Sequence, residues 1–418
     1  MANKAALVPT RLVYLVSHGL SYASNGYAIR THGIAKALQQ AGLDVICLVR
    51  PGRPWDFGAA DDAVPLEVIK DEIRYIHSRW PDGMPSSAQL QLEQSAAIFR
   101  ELFAVYKPDF VLAASNYEVG IPGYLAATRC GLPFAYEVRG FWEISRSSRE
   151  PEFARTPEFK LQVDAESWLA RLPVPLFTLN LGMRQELIKR GADANRIALV
   201  PNGIARLPAL KPRDAELAAN YGLQPDEHVF GYIGSLLAYE GLDELLYALA
   251  QLPDTARWRL LLVGEQFPLN VAGVPIQQGY SAELIELAQQ LGIADRLSFT
   301  GRVPHEDVAD YYALIDTVVL PRKNWPVCQL VMPLKGIEAL SFGMQLLVSD
   351  VTPLKELQAL SATVKVFSAG DVADLSAQLA ALLDQRLSMT EREQIRQAVW
   401  QQHQYTEVCR PLLQWCGI

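Results

Sequence analysis

The segment DTVVLPRKNWPVCQLVMPLKGIEALSFGMQLLVSD, residues 316–350, has two short β-branched runs separated by a polar loop and an apolar helical stretch. The first run ends at Pro321, the helical stretch begins near Pro333, and the second run starts near Gln345. Strands that alternate with helices are typical of parallel sheets covered on both faces. The segment therefore predicts an α/β fold.

The same alternation continues through most of the chain and forms two series of strands. The first series is predicted at Arg11–Ser17, Asp44–Val49, Phe110–Ala114, Phe134–Glu137, Leu176–Leu179 and Ile197–Pro201. The second is predicted at His228–Ile233, Trp258–Val263, Leu297–Thr300, Thr317–Leu320, Gln345–Val348 and Val364–Phe367. Two series predict two doubly wound domains whose strand-end loops face a shared cleft.

The connection between the two series is predicted at Pro208–Gln224, which holds two prolines and several charges. We assign residues 1–206 to an N-terminal Rossmann-like domain and residues 207–388 to a C-terminal ligand-binding Rossmann-like domain. Residues 389–418 are predicted to be helical. This segment is too long to be a simple terminal cap, so we expect it to pack back on the N-terminal domain.

The composition excludes several classes of protein. The chain has 418 residues, of which 50% are hydrophobic, and a formal net charge of −8, which disfavours a nucleic-acid partner. Its five cysteines are scattered and show no zinc-ligand spacing. No apolar run of about 18 residues occurs, and the N-terminal residues predict a first strand rather than a signal peptide. We therefore expect a cytoplasmic protein without a structural metal.

Glycines follow three strands of the second series. They are Gly234, which precedes Ser235, then Gly264 and Gly301. One such glycine usually marks only a turn, whereas three at neighbouring strand ends indicate that a backbone approaches a ligand closely. These glycines predict a ligand cleft.

The helix that begins near Pro333 carries a second set of candidates. Backbone amides at Leu334 and Lys335, together with the Arg322 side chain, form a plausible cradle for a diphosphate. Glu338 follows Lys335 by one helical turn and could accept the hydroxyls of a ribose. The alternative is a Lys335–Glu338 pair on a solvated helix face.

The first turn of the chain, SHGLSYASNGYAIR, leads a strand through Asn25 and Gly26 into a helix. A helix N-terminus presents free amides and a positive dipole end, which suit an anion. The alternative is a glycine-containing connection that binds no ligand.

Ionisable residues follow the apolar strand of the segment FAYEVRGFWEISR; they are Glu137, Arg139, Glu143 and Arg146. A fixed guanidinium beside carboxylates could bind an acidic group or stabilise developing charge. An internal salt-bridge network is the competing interpretation.

Together these motifs resemble the retaining glycosyltransferases of family four, which have the GT-B architecture of two facing Rossmann-like domains. The resemblance covers nearly the whole chain and includes a subgroup with YEVRG, YEGL and PLK signatures. Its motifs are Asn25-Gly26, Val200–Ile204 (VPNGI), Gly234-Ser235, LLLVG before Glu265, Gly301–Pro304 (GRVP) and Pro333–Gly343.

The resemblance implies a donor site for a UDP- or GDP-linked sugar and no metal or other cofactor. The implied donor-binding residues are Asn25, Gly26, Gly234, Ser235, Gly264, Arg302, Val303, Leu334, Lys335 and Glu338, with Arg302 and Val303 at the nucleobase. The catalytic candidates are Glu137, Arg139, Arg322 and Lys335. The implied acceptor is a hydroxyl of a glycan or lipid-linked molecule, in cell-surface polysaccharide or glycolipid synthesis.

Three departures from the family pattern affect this interpretation. Ser235 and Glu240 stand where the family often has cationic residues, so Arg322 and Lys335 are expected to replace them. Leu330 stands in place of the first paired glutamate, with Gln329 as a nearby substitute. Arg139 stands in place of a histidine.

Two further questions stay open from the sequence. A non-catalytic GT-B subunit that binds sugar or supports a partner enzyme would also explain the missing cations, and an epimerase or phosphorylase is a more distant alternative. The basic helix at residues 183–190 could contact a membrane surface peripherally or could simply be a solvated face.

Overall fold

The computed structural model describes residues 10–23, 25–60, 62–265 and 279–418. The chain forms two compact units. The first comprises Met1–Gly203 and Tyr405–Ile418, and the second comprises Ile204–Gln404.

The first unit is built on a sheet of eight strands within the described residues, in the order β3-β4-β2-β1-β5-β6-β7-β8. Every neighbouring pair is parallel except β3 and β4. The strands are β1 Arg11–Val16, β2 Asp44–Val49, β3 Glu67–Lys70, β4 Ile73–Ile76, β5 Phe110–Ala114, β6 Phe134–Val138, β7 Leu176–Thr178 and β8 Ile197–Leu199.

Helices connect these strands and cover the sheet. They are α1 Gly26–Gln40, α2 Ala88–Tyr106, α3 Tyr117–Arg129, α4 Trp142–Ser147, α5 Pro157–Arg171 and α6 Leu181–Lys189. The core strands are almost continuously apolar because a parallel sheet is buried on both faces. In β1, for example, Leu12 to Val16 are all fully buried.

The second unit has a parallel sheet in the order β11-β10-β9-β12-β13-β14. Its strands are β9 His228–Ile233, β10 Trp258–Val263, β11 Leu297–Gly301, β12 Thr317–Leu320, β13 Gln345–Ser349 and β14 Val364–Phe367. Its helices are α7 Ala215–Asn220, α8 Leu242–Leu249, α9 Tyr280–Gln290, α10 Val308–Leu314, α11 Pro326–Leu330, α12 Leu334–Ser341, α13 Thr352–Lys355, α14 Val372–Leu382 and α15 Met389–His403.

The prediction of two α/β domains with parallel sheets is confirmed. Each of the twelve predicted strands corresponds to a strand of the structure, with differences only at the ends. The sequence analysis missed β3 and β4, the antiparallel pair at the sheet edge. Three of the four residues of β3 are exposed, so the strand lacks the apolar run that marks a buried strand.

The C-terminal segment is divided between the two units. Helix α15, assigned from the sequence to the returning segment, lies in the second unit, where it packs on α12. Only the last residues, with α16 Tyr405–Val408 and α17 Arg410–Trp415, belong to the first unit. Tyr405 packs there so closely that a Cβ on Gly33 would lie 2.1 Å from its ring.

Across the part of the chain that the structure describes, no helix combines the length and the apolar character needed to cross a bilayer.

Candidate functional site

The strand-end glycines of the second unit meet at one edge of its sheet. The Gly234 amide donates to the carbonyl of Val263 at 2.9 Å, and the Gly264 amide donates to that of Gly301 at 2.9 Å. Gly264 has a φ of +119°, and a Cβ there would lie 2.2 Å from the Gly234 carbonyl oxygen. The backbone therefore packs at a distance that only glycine permits.

Lys335 lies directly over this glycine edge. It follows Leu334, the first residue of α12, and a Cβ on Gly234 would lie 2.2 Å from the Lys335 Cε atom. The absence of a side chain at Gly234 thus leaves the space that the lysine occupies. The structure brings the predicted glycine loop and the predicted lysine together.

Glu240 binds both predicted cations of this unit. Its Oε1 atom accepts from Lys335 Nζ at 2.7 Å and from Arg322 Nη2 at 2.9 Å, and its Oε2 atom accepts from Arg322 Nε at 3.1 Å. Arg322 also donates from Nη1 to the Val331 carbonyl at 2.9 Å. Glu240 therefore joins two side chains that are 82 and 95 residues away in the sequence.

The electrostatics of this cluster leave positive charge next to the glycine edge. Burial opposes ionisation of Glu240, but Arg322 and then Lys335 outweigh it and lower its pKa to about 2. Burial lowers the pKa of Lys335, and the Glu240 carboxylate opposes that shift. Two cations share one carboxylate, and Lys335 is the most exposed member, at 18% against 7% for Arg322. Lys335 is therefore the cation best placed to meet an anion.

The other predicted donor-binding residues of the second unit occupy several positions. Ser235 is exposed and its carbonyl accepts from the Tyr232 hydroxyl at 2.8 Å. Arg302 is exposed and Val303 is half-buried, both just after β11. Glu338 is half-buried, one turn along α12 from Lys335.

Gln329, the suggested substitute for the missing glutamate, forms hydrogen bonds with other residues of the second unit. Its amide nitrogen donates to Asn324 Oδ1 at 2.8 Å, and its Oε1 atom accepts from the Thr352 amide at 3.0 Å and hydroxyl at 2.9 Å. These contacts join α11 to the loop before it and to the start of α13, and they give the side chain a structural role.

Glu137 and Arg139 of the first unit lie in a buried network at the end of β6. Arg139 Nε donates to Glu137 Oε2 at 3.0 Å, and Arg139 Nη1 donates to Thr31 Oγ1 at 2.7 Å. The Tyr14 hydroxyl donates to Glu137 as well. Burial raises the pKa of Glu137, but Arg139 and Arg30 outweigh it and lower the pKa to about 2. Both predicted side chains are thus engaged by internal partners.

Arg30 is a member of this network that the sequence analysis missed. Its Nε atom donates to Glu137 Oε1 at 2.9 Å, and its Nη1 atom donates to the Pro201 carbonyl at 2.7 Å. It also donates to Asn202 Oδ1 at 3.1 Å and to the Val200 carbonyl at 2.5 Å. Arg30 therefore fixes the VPNGI segment to the end of β6. Thr31 and His32 follow Arg30 directly, so the residues around it did not mark it as a buried group.

Asn25 caps α1. Its Oδ1 atom accepts from the Ala28 amide at 3.0 Å and lies 3.1 Å from His18 Nε2, while Gly26 opens the helix and is exposed. Burial lowers the pKa of His18 to about 4, so this ring is neutral at pH 7. The Asn25 side chain thus satisfies one amide of the helix end, and a ligand at this end stays a prediction.

The remaining ionisable candidates of the first unit pair locally. Arg146 binds Glu150 and Glu158 on the surface, whereas Glu143 is buried and binds Arg190 Nη2 at 2.7 Å. The predicted basic helix at 183–190 corresponds largely to α6, whose Met183 and Leu187 are buried. Its apolar side therefore faces the core of the unit.

Within the described ranges, no three His, Cys, Asp or Glu side chains are grouped so that they could hold a metal ion.

Two glycosyltransferase domain families match the chain. Residues 25–203 match the Glycosyl transferase 4-like domain, and residues 214–401 match Glycosyl transferases group 1. The two matches fall in the two structural units.

A D-inositol 3-phosphate glycosyltransferase from Nocardia farcinica is 33% identical over 207 residues, which is 49% of this chain and 43% of that protein. Two further relatives of that name, from Catenulispora acidiphila and Streptomyces bingchenggensis, are covered over 64% and 54% of their lengths. The matched part of the chain thus spans between 43% and 64% of the length of these relatives.

The fold is that of solved GT-B glycosyltransferases. Sucrose-phosphate synthase from Thermosynechococcus elongatus superposes with a TM-score of 0.76 at 20% identity, over 97% of this chain and 98% of that one. The HepE protein of Anabaena, solved in complex with UDP and glucose, gives a TM-score of 0.67 at 15% identity, over 98% and 99% of the two chains.

Proposed function

Because the chain consists of two domains of glycosyltransferase families, we propose that it transfers a sugar from a nucleotide diphosphate sugar to a hydroxyl acceptor. We assign the donor diphosphate to the glycine edge of the second unit, where Lys335 lies over Gly234. The acceptor reaction belongs, on this proposal, to cell-surface polysaccharide or glycolipid synthesis. A UDP-linked hexose is the first donor to test, because HepE was solved with UDP and glucose.

The observation that carries this proposal is the cluster of Glu240, Arg322 and Lys335. The family often has a cation where this chain has Glu240, and a carboxylate beside a diphosphate would repel it. Here the carboxylate is neutralised by the buried Arg322, and it holds Lys335 at 2.7 Å. On this proposal, Lys335 of α12 supplies the positive charge that the loop with Ser235 and Glu240 does not carry.

The chemistry follows from where charge develops. As the bond between the sugar and the diphosphate breaks, negative charge grows on the leaving phosphate and positive charge spreads over the sugar ring. An ammonium group fixed in advance stabilises that transition state more than the ground state, which lowers the barrier. We propose a reaction with retention, in which the leaving phosphate oxygen takes the proton of the incoming hydroxyl.

The buried network of the first unit has a positioning role in this proposal. Arg139 is engaged by Glu137 and Thr31, so it does not supply a mobile proton. Through Arg30, the same network fixes residues 200–202, which immediately precede the end of the unit at Gly203.

The central experiment is the Lys335→Ala substitution. Turnover of the accepted nucleotide sugar is expected to fall roughly 100-fold, as it does when one transition-state donor is removed elsewhere. Donors are first identified by thermal shift, since a bound ligand raises stability by mass action. Lys365→Ala, an exposed lysine of β14, is the matched control and should leave turnover unchanged. Near-normal turnover of folded Lys335→Ala protein would refute the role of the lysine.

A non-catalytic sugar-binding or partner-supporting subunit is the second candidate, favoured by Ser235 and Glu240 at positions where the family often has cations. Purified protein that binds a nucleotide sugar but neither transfers nor hydrolyses it, alone or with acceptors, would support this alternative. Hydrolysis of the donor by the purified chain would exclude it.

A further inference from the structure

His18 lies where the strand order of the first sheet reverses. The chain leaves β1 toward β2 on one side of the sheet, and β5 pairs with β1 on the other side. In open sheets of this kind, ligands bind in the crevice outside the carboxyl ends of the strands at such a reversal. His18 follows the end of β1 by two residues and is half-buried. It therefore lies at the edge of the unit where a substrate is expected.

Two neighbours fix the orientation of the His18 ring. Its centre lies 4.5 Å from the centre of the Tyr27 ring, at an interplanar angle of 32°. The Tyr27 ring is itself fixed, because its hydroxyl accepts from the Ser17 amide at 2.9 Å. In addition, His18 Nε2 lies 3.1 Å from Asn25 Oδ1. The imidazole is thus oriented by contacts within its own unit.

The contact with Asn25 determines which nitrogen of the His18 ring carries the proton. The Asn25 atom that faces His18 also accepts from the Ala28 amide at 3.0 Å, so it is the carbonyl oxygen of the side chain and not its nitrogen. An amide oxygen can only accept, so His18 Nε2 must donate to it. In a neutral imidazole the second nitrogen, Nδ1, is then an acceptor.

The ring is neutral at pH 7, and the Nδ1 atom is not used within the described part of the chain. Burial lowers the pKa of His18 to about 4; the charges of Arg53 and Arg139 add to this shift, and the Asn25 hydrogen bond opposes it. Among the described residues, Asn25 is the only hydrogen-bond partner of His18. A ring with so low a pKa is a weak base at pH 7, so Nδ1 is suited to accept a hydrogen bond rather than to remove a proton.

These properties favour a neutral hydroxyl as the group that meets Nδ1. An ionised carboxylate has no proton to donate to it. A cationic donor is disfavoured, because the two charged groups that act on the His18 ring, Arg53 and Arg139, both oppose positive charge there. A sugar hydroxyl is uncharged and donates one hydrogen bond.

We propose that His18 Nδ1 accepts a hydrogen bond from a hydroxyl of a bound sugar. The sugar rests on the proposed function, whereas the tautomer of the ring does not. The transferred sugar and a sugar acceptor offer the same chemistry, and the experiments below distinguish them. His18 is then a binding residue of the first unit, although its neighbour Asn25 was the residue that the sequence analysis selected.

Two amide substitutions separate the two nitrogens of the ring. The side-chain oxygen of asparagine takes the place of Nδ1, whereas the side-chain nitrogen of glutamine takes the place of Nε2 and donates to Asn25. His18→Gln should lower kcat/KM about tenfold, because one sugar hydroxyl loses its hydrogen bond. His18→Asn should restore most of this loss. A purely structural ring predicts the opposite order, since only glutamine keeps the bond to Asn25.

Binding and rate measurements on the full chain identify the sugar. The probes are UDP-glucose and UDP in isothermal titration, and UDP release from UDP-glucose with and without methyl glucoside. If His18→Gln weakens the binding of UDP-glucose but not of UDP, the hydroxyl belongs to the transferred sugar. If both affinities are unchanged and the rate falls only with methyl glucoside present, the hydroxyl belongs to the acceptor.

Nuclear magnetic resonance of the chain labelled with ¹⁵N-histidine tests the tautomer without any turnover. The His18 signals, identified by their loss in His18→Gln, should show a proton on Nε2 and none on Nδ1 at pH 7. The Nδ1 signal should shift when the sugar substrate binds. A proton on Nδ1 in the unliganded chain would overturn the inference.

The outcomes separate this inference from the proposed function. If the wild-type chain turns over the donor and both His18 variants match it, the inference fails and the proposed function stands. If the wild-type chain neither binds nor turns over any nucleotide sugar, the proposed function fails, and the assignment of a sugar to His18 is overturned with it.

Discussion

At the scale of single residues, the role of Glu240 depends on the two cations that it binds, Arg322 and Lys335. A carboxylate at this position, taken alone, suggests a weakened diphosphate site. In the fold it is neutralised by Arg322 and positions Lys335. The three residues act as one unit, so the effect of changing any of them depends on the other two.

The Glu240→Gln substitution is expected to destabilise the second unit by about 3–5 kcal/mol, because it leaves the buried Arg322 without its counter-ion. It should also lower turnover about tenfold or more, since Lys335 loses the partner that fixes it. Chemical unfolding and initial-rate measurements test both effects. Glu283→Gln, an exposed glutamate of α9, is the control. Unfolding indistinguishable from wild type would contradict the role assigned to Glu240.

Glu166, on α5, gives a pH-dependent prediction. Burial first, and then the neighbouring Glu143 carboxylate, raise its pKa from 4.5 to about 8. A carboxyl group with a raised folded-state pKa favours folding fully below pH 4.5 and loses this contribution as pH rises to about 8. Glu166→Gln should therefore gain stability over wild type across this interval, by up to about 1.4 kcal/mol per pH unit, and the gain should be constant above it.

Urea unfolding at pH 5, 6.5, 8 and 9 measures this difference. Glu158→Gln, at an exposed position of the same helix, should show no comparable trend. A difference between Glu166→Gln and wild type that does not change with pH would show that Glu166 ionises normally.

Residue types at strand ends could be predicted from sequence, but their partners could not. Gly234, Gly264 and Lys335 were selected because of their positions after strands or at a helix start. The bonds of Glu240 and Arg30 join residues that are 82 to 172 positions apart, and no local pattern specifies such pairs. Gln329 was suggested as a ligand-binding substitute, but its hydrogen bonds to Asn324 and to Thr352 at the start of α13 could not be read from the sequence.

At the scale of elements, continuous apolar runs identified the buried parallel strands because both faces of such strands are covered. The edge strand β3 has one half-buried residue and three exposed ones, so its sequence resembles a loop. Helix α1 begins at Gly26, directly after Asn25, whose side chain caps it and supplies a start signal that the apolar pattern lacks.

The close packing at Gly264, which follows β10, can be tested against Gly292, a glycine that follows α9. Gly292→Ala should cost about 1 kcal/mol, because its φ is +70° but a Cβ there meets nothing within 4 Å. Gly264→Ala carries similar strain and also places its Cβ 2.2 Å from the Gly234 carbonyl oxygen, which should add about 1–3 kcal/mol. Equal losses of unfolding free energy in the two variants would show that the glycine edge is not tightly packed.

At the scale of the whole molecule, the chain passes between its units twice, at residues 203–204 and 404–405. Ile204 and Gln404 form a parallel bridge, so the ends of the second unit lie side by side. The sequence predicted a return to the first unit but placed it at residue 389. The sequence of helix α15 does not show which unit it joins, whereas its contacts with α12 do.

The returning segment is part of the core of the first unit, which leads to the last prediction. Tyr405, Val408, Cys409 and Leu412 belong to the same hydrophobic cluster as the strands β1 and β2. Fully burying a large apolar side chain contributes about 1.5–3 kcal/mol, so losing several of them approaches the 5–15 kcal/mol that stabilises a typical domain. A chain that ends at Gln404 should therefore lose the folded first unit, while the second unit keeps its own core.

Limited proteolysis and urea unfolding distinguish these outcomes. The truncated chain should yield a protected fragment that begins near Ile204, together with rapid cleavage of the preceding residues. Removal of only Gly417 and Ile418, which are exposed, is the control and should unfold as wild type does. Protection of both units in the chain that ends at Gln404 would mean that residues 405–418 cover the first unit without stabilising it.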